Sequence, residues 1–255
     1  MLMKIAVCLS GQPRNFREGH AYFSECFSSC EVDYFMHHWF HNDESKNPIL
    51  VGSGETNKGK VSWLPEKDSD KKMIELFKPK SYLFEKQKKF TDYNYPKEFP
   101  GGYNGMTTPD MLSMFYSRNE CGKLFDAYLK ENNTKYDFAI WTRPDVAILC
   151  EPSFWSQLDK ATDWNFIHTA YETGEIWNNG AVNTSLIASS PSNISYFLKL
   201  YDHYKALIEE GVPFCDHRLT FAHLKKLNQR FLQILVAQDL NPQWAWIRNG
   251  ELRRS

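Results

Sequence analysis

The sequence predicts an α/β fold in one domain, with a mostly parallel central sheet flanked by helices. Three observations carry that expectation. Short apolar runs such as "KIAVCL", "VDYFMHHWF" and "YDFAIW" have the length and the aromatic and β-branched content of buried strands. Between them lie stretches whose apolar residues recur every three or four positions, as on helices. The chain has 255 residues, 42% apolar and 15% aromatic, with no internal repeat and no linker that would divide it.

Lys4 to Leu9 is the first strand, ending in the polar turn "SGQPR", after which Phe16, Phe23 and Phe27 mark one face of a helix. Residues 32–40 form the second strand. A strand–helix–strand order makes a parallel unit, so both strand C-termini share one sheet edge. "SGQPR" and "HHW" are therefore expected side by side, on the edge where open α/β sheets bind ligands. Residues 41–70 and 86–109 carry no period and are too long for plain connections, which predicts long loops covering a site. Between them "SDKKMIELFKP" reads as a helix stopped by Pro79 and "KSYLFEK" as a strand.

From Thr108 or Asp110 onward, Met111, Met114, Phe115, Cys121, Leu124, Phe125 and Tyr128 form a stripe that predicts a long helix. "YDFAIWTRPDVAIL" is a strand over Phe138 to Trp141, a polar break over Thr142 to Asp145, and a second extended piece over Val146 to Leu149. "DWNFIHTA" predicts a strand and "WNNGAVNTSLIASS" a loop feeding one. "SPSNISYFLKLYDHYKALIEEG" predicts one capped helix and "CDHRLTFAHLKKLN" another.

Composition excludes some functions. Thirty basic side chains against 31 acidic ones, a net charge of -1, leave no electrostatic footprint for nucleic acid or an anionic membrane surface. No apolar run reaches the ~18 residues that cross a bilayer, and "MLMKIAVCLS" reads as a strand rather than a leader. A soluble, cytoplasmic protein without an integral membrane segment is expected. The six cysteines are scattered, and Cys26 and Cys30 lack the second pair that a zinc site needs. They are expected to be buried free thiols of a reducing compartment.

The richest chemistry lies in "WTRPDVAI". A buried strand interrupted by Arg143 and Asp145 exposes a cation and a carboxylate at a sheet edge. The carboxylate can hold a divalent cation and the arginine can clamp a phosphate; equally, the two can form a structural ion pair. In the opening turn, Gly11 permits close backbone approach, Ser10 and Gln12 offer hydrogen bonds, and Arg14 brings charge to a helix start. This is neither GxGxxG nor GxxxxGK[ST], so dinucleotide and P-loop chemistry are unsupported. HExxH and GxSxG are absent. Of His37 and His38, alternation on a strand lets only one face the site. Arg118 sits mid-helix among apolar residues, where it is either a surface arginine or a phosphate ligand reaching from below. Asn178 and Asn179 suit sugar hydroxyls as well as a turn, and Trp141 and Trp177 can stack on a sugar as well as pack in a core.

"KIAVCLSGQPRNF", "VDYFMHHW" and "SMFYSRNECGKLFDAYLKENNTKYDFAIWTRPDV" resemble, in order and spacing, a glycosyltransferase family of bacterial surface-polysaccharide clusters and of large viruses and phages. The resemblance covers about residues 4–150 and is diffuse beyond. It implies a GT-A-like fold, with a Rossmann-like half over about residues 1–150 binding a nucleotide-sugar and an acceptor half over about 151–255. "RPD" stands where such enzymes carry the DxD that binds Mn²⁺ or Mg²⁺ with the donor diphosphate. Asp145 matches the last aspartate, which implies a metal ligand, whereas Arg143 replaces the first and can supply neutralising charge itself. By the same analogy Ser10, Gly11 and Arg14 meet the nucleotide and Arg118 resembles the basic residue on the helix before DxD, while Gln12, His38, Asn178 and Asn179 complete the expected donor-binding residues. The implied reaction moves a sugar from the nucleotide-sugar to a glycan or polysaccharide acceptor, with Asp216 as the expected base and Glu172 and Glu175 as alternatives. Two other readings remain open: a non-catalytic nucleotide- or glycan-binding protein of the same fold, and a sugar nucleotidyltransferase. The single glycine of the opening turn disfavours the last.

Overall fold

Residues 2–42, 49–51, 61–91, 108–151, 154–155, 163–171, 180–236, 244–248 and 251–253 are described by the computed structural model. Strand β1 (Met3–Gly11), helix α1 (Phe16–Cys26) and strand β2 (Cys30–Trp39) form the expected parallel unit. The register sets Ser10 opposite His37 and Gly11 opposite His38, so the two polar strand ends are neighbours. Helix α2 (Ser69–Phe77) ends one residue before Lys78–Pro79 and leads into β5 (Ser81–Glu85), which pairs in parallel with β2. Residues 41–70 are not wholly loop: β3 (Ile49–Val51) and β4 (Val61–Trp63) pair antiparallel as a separate hairpin. Of the second expected covering loop, residues 92–107 lie outside the described residues.

Helix α3 (Thr108–Asn132) returns the chain to the far side of β1, where β6 (Phe138–Thr142) pairs in parallel. Then follow β8 (Ile167–Tyr171), β9 (Leu186–Ser189), which runs antiparallel between β6 and β8, and β10 (Phe231–Val236) on the sheet's edge. The full order is β10-β8-β9-β6-β1-β2-β5, a mixed α/β architecture with one antiparallel strand. Alternation explains why these strands are apolar throughout. Ile5, Val7 and Leu9 pack with Phe138 and Ile140 under α1 and α2. Ala6 and Cys8 pack with Ala139 and Trp141 under α3. A strand covered on both faces has no position to spare for water. Each large side chain so buried contributes roughly 1.5–3 kcal/mol. Helix α3 is buried on more than one face, because Met111, Leu112 and Phe115 form a further cluster with Leu200, Tyr204 and Leu219.

Two expectations are corrected. The extended piece after the polar break leaves the main sheet: β7 (Val146–Ile148) pairs antiparallel with β11 (Trp244–Arg248), which pairs with β12 (Glu251–Arg253). A turn through Pro144, which lacks an N–H for the ladder, redirects the chain. The single helix expected after Ser190 is two, α4 (Pro191–Leu198) and α5 (Leu200–Glu209), because Lys199 at φ -81°, ψ 11° leaves the helical ladder. The last helix is α6 (Asp216–Lys225). Among the described residues no helix is long and apolar enough to cross a membrane.

Candidate functional site

From β1 the chain runs outward to β2 and β5 and then crosses back to β6, so the strand order reverses between β1 and β6. Crevices outside the carboxyl ends of strands at such a reversal are where open α/β sheets take ligands. Both polar turns singled out in the sequence, "SGQPR" after β1 and "RPD" after β6, sit there.

The two turns meet at Asp145. Arg143 grips its carboxylate through two donors, Nε to Oδ1 at 2.9 Å and Nη2 to Oδ2 at 2.7 Å. Arg14 approaches from the other turn, Nη2 to Oδ2 at 3.2 Å. Asp145 is 1% exposed, but the Arg14 and Arg143 side chains keep 13% and 20%, so the pair of cations presents an edge to solvent above a covered anion. Two guanidiniums share this one carboxylate next to the N-terminus of α1, which has its own positive dipole end. Packing holds the assembly in register. The Pro144 carbonyl lies so close to Gly19 of α1 that a Cβ there would sit 1.9 Å from its oxygen. The Asn15 side chain donates to the Ile247 carbonyl at 2.7 Å, and the Ile247 N–H donates to the Asp145 carbonyl at 2.8 Å. Strand β11 thus ties the helix start to the RPD turn.

A second network stiffens the end of β1. The Gly11 N–H donates to Ser117 Oγ at 2.8 Å, Ser117 lies 2.8 Å from His37 Nδ1, and His37 Nε2 lies 3.0 Å from Glu85. Burial lowers the pKa of His37, so the ring is neutral, its one proton on Nε2 facing Glu85 and its Nδ1 accepting from the serine hydroxyl. Serine, histidine and carboxylate in series have the order of an acyl-transfer triad. Ser117 is fully buried, however, and its oxygen already accepts the Gly11 N–H, so the series holds a backbone. Gly11 itself has φ 110°, a conformation that strains a residue with a Cβ.

On the other face of β2, His38 Nδ1 lies 3.0 Å from the Gly11 carbonyl, which can only accept, so Nδ1 carries the proton. Burial pushes the ring's pKa down to about 3, although the charge of Asp145 acts the other way. Its Nε2 is therefore a buried acceptor, with no hydrogen-bond partner among the described residues. Gln12 reaches Gln87 at 3.4 Å, and Ser10 accepts from the Trp141 indole N–H at 2.9 Å.

Trp141, weighed as a stacking platform for sugar, is fully buried in the core. Its ring lies 4.3 Å under the guanidinium of Arg118. Arg118 is fully buried too and spends its charge on Asp216, with Nη1 to Oδ1 at 2.7 Å and Nη2 to Oδ2 at 3.1 Å. Thr184 and Thr220 donate to the same carboxylate. Desolvation alone would raise the Asp216 pKa, but the charge and hydrogen bonds of Arg118 hold it below the usual carboxylate range. Arg118, expected to meet a phosphate, and Asp216, expected as the base, are in this placement each other's buried counter-ion.

The divalent cation expected at Asp145 does not fit the donor set. Mn²⁺ or Mg²⁺ requires near-octahedral oxygen ligation. Both Asp145 oxygens are engaged by guanidinium donors, and among the described residues no group of three or more His, Cys, Asp or Glu converges. Asn178, Asn179, Trp177, Glu172 and Glu175 lie outside the described residues.

Sequence reasoning missed Ser117, Glu85 and Thr184. A signal existed for the first: Ser117 and Arg118 are polar residues set within the apolar stripe of α3. Thr184 and Glu85 carry no local signal, since only the fold brings them to their partners.

No protein-family model matches the chain, and no curated protein matches it. Solved structures that resemble it include a glycosyltransferase involved in glycosylation of the major capsid of PBCV-1, at 10% identity, covering 91% of this chain and 81% of that one, with a TM-score of 0.41. An active-site mutant of LgtC is similar at 10% identity, covering 91% of this chain and 72% of that one, TM-score 0.45. Mouse xyloside xylosyltransferase 1 is similar at 9% identity, covering 90% and 83%, TM-score 0.41. Likeness at this level assigns no activity, and the functional reading rests on the chain's own residues.

Proposed function

We propose that the protein is a nucleotide-sugar-dependent glycosyltransferase of GT-A-like architecture, with about residues 1–150 receiving the donor and about 151–255 the glycan or polysaccharide acceptor. The observation that carries this reading is the convergence of Arg14 and Arg143 on Asp145 where the strand order reverses. A partly exposed pair of guanidiniums beside a helix N-terminus is matched to a diphosphate. The sequence resemblance over "SGQPR" and "RPD" points the same way.

In the reaction, the bond from the anomeric carbon to the diphosphate oxygen breaks while one to an acceptor hydroxyl oxygen forms. The departing diphosphate gains charge, which Arg14, Arg143 and the α1 dipole stabilise in place. Asp145 keeps both arginines aimed. His38, neutral and with Nε2 as an acceptor, suits a hydroxyl or amide N–H of the ligand. The hydroxyl proton goes to a base outside the described residues, for which Glu172 and Glu175 remain candidates.

One observation favours a second reading. Asp145 and Asp216, the two carboxylates expected to do chemistry, are both bound by guanidinium groups, as befits a protein that binds a nucleotide-sugar without transferring it.

A thermal-shift panel of nucleoside diphosphates and nucleotide-sugars, with Mn²⁺ or with EDTA, tests the site. A ligand specific to the native state raises its apparent stability. The expected result is a rise with one base type that survives EDTA and disappears in Arg143→Ala and Arg14→Ala. No rise with any nucleotide in a folded sample refutes the proposal. Mass spectrometry of the nucleotide-sugar after incubation separates the two readings, since only the transferase releases the nucleoside diphosphate.

A further inference from the structure

Away from the crevice, Cys26 closes α1 and Cys150 lies two residues beyond β7, and their sulfurs are 2.7 Å apart. A disulfide needs about 2.05 Å, so bonding asks for a movement of well under an ångström. Trp155 packs in the same core cluster, and its indole N–H donates to Cys26 Sγ at 2.9 Å. We propose that Cys26 and Cys150 are a disulfide-forming pair, oxidised by exchange with a small-molecule disulfide of the glutathione class.

The order of events follows from access. Cys150 is 9% exposed and Cys26 1%, so the outer sulfur meets the oxidant first. The Cys150 thiolate attacks one sulfur of the small disulfide, forming a mixed disulfide and releasing one small thiol. The Cys26 thiolate, stabilised by the Trp155 N–H, then attacks Cys150 Sγ and releases the second. The two protons lost by the cysteines end on the two small thiols, so atoms and electrons balance. The Cys150 hydrogen bond and burial push the Cys26 thiol up, which makes exchange slow at neutral pH and faster in base. The bridge joins the end of α1 to the segment that runs on from Arg143 and Asp145. It therefore clamps the helix whose Gly19 already bears on the Pro144 carbonyl.

The test uses the full chain, incubated with oxidised glutathione at mildly basic pH, alkylated under denaturing conditions and mapped without reduction. The expected result is a loss of about 2 Da, one hydrogen from each thiol, and a joined peptide carrying Cys26 and Cys150. The apparent Tm should rise by on the order of 5–10 °C relative to the reduced protein, because the bridge closes a long loop. Dithiothreitol should reverse both effects, and Cys26→Ser and Cys150→Ser should each abolish them. The proposal is overturned if all six thiols alkylate after oxidation, if only glutathione adducts form, or if the joined peptide carries Cys8 and Cys121, which form the other buried thiol pair. The wild-type peptide map decides the matter even if a variant fails to fold.

Discussion

Replacing Gly19 by alanine normally strengthens a helix interior, by up to about 1 kcal/mol. In α1 the same change should weaken the protein. The added Cβ would lie 1.9 Å from the Pro144 carbonyl oxygen, whereas carbon–oxygen contacts settle near 3.3 Å. Either the helix or the turn must retreat by about 1.4 Å, the difference between the two distances. Neither can do so freely, because Asn15 and Asp145 are both tied to Ile247. Overpacking costs about 1–3 kcal/mol, and a clash between two tied backbones belongs in the upper half of that range, about 2–3 kcal/mol. The net destabilisation after the propensity gain of about 1 kcal/mol is therefore about 1–2 kcal/mol. With a urea m-value of about 3 kcal/mol per molar, the midpoint should fall by roughly 0.5 M. Equilibrium urea unfolding followed by tryptophan fluorescence reads this directly. An unchanged or higher midpoint would refute the claim that α1 and the RPD turn are in backbone contact, and with it the register proposed for Arg14 and Arg143.

Other consequences can be measured with the same unfolding assay. Arg118→Met strands a buried carboxylate and should cost about 3–5 kcal/mol, whereas Arg118→Met with Asp216→Leu should recover most of that loss. The pH dependence of Arg118→Met should also change sign: in the wild type the lowered Asp216 pKa gives stability that is lost as pH falls through the folded value, but without the arginine desolvation raises that pKa and acid becomes less harmful. His223 is held neutral by burial, its pKa lowered from 6.5 to about 4, so its contribution is complete above 6.5 and lost as pH falls toward 4, about 3 kcal/mol in all. His223→Gln should flatten the midpoint-versus-pH curve in that window, and an unaltered curve would mean the histidine is not buried. Ser117→Ala leaves the Gly11 N–H and His37 Nδ1 without their shared partner and should cost about 1–3 kcal/mol, with no loss expected if water replaces the hydroxyl.

The sequence by itself determined the local elements and their order. Continuous apolar runs of strand length ask to be covered on both faces, and three-to-four spacing asks for a helix face, so β1, α1, β2, α2, β5, α3 and β6 were legible where they lie. The strand–helix–strand rule even placed "SGQPR" beside "HHW", because a parallel crossover aligns strand ends; the register that sets Gly11 opposite His38 came from the fold. What a local pattern cannot specify is a partner far along the chain. Val146 continues an extended run in sequence, yet its strand joins Trp244 to Arg248 in another sheet. Arg118 reads as a ligand-binding arginine until the fold brings Asp216 against it from 98 residues away. Arg143 and Asp145 are two residues apart in the chain, but the second cation, Arg14, meets them only because β1 and β6 are paired. Charge satisfaction is settled by which side chains the sheet order makes neighbours, and that order is a property of the folded whole.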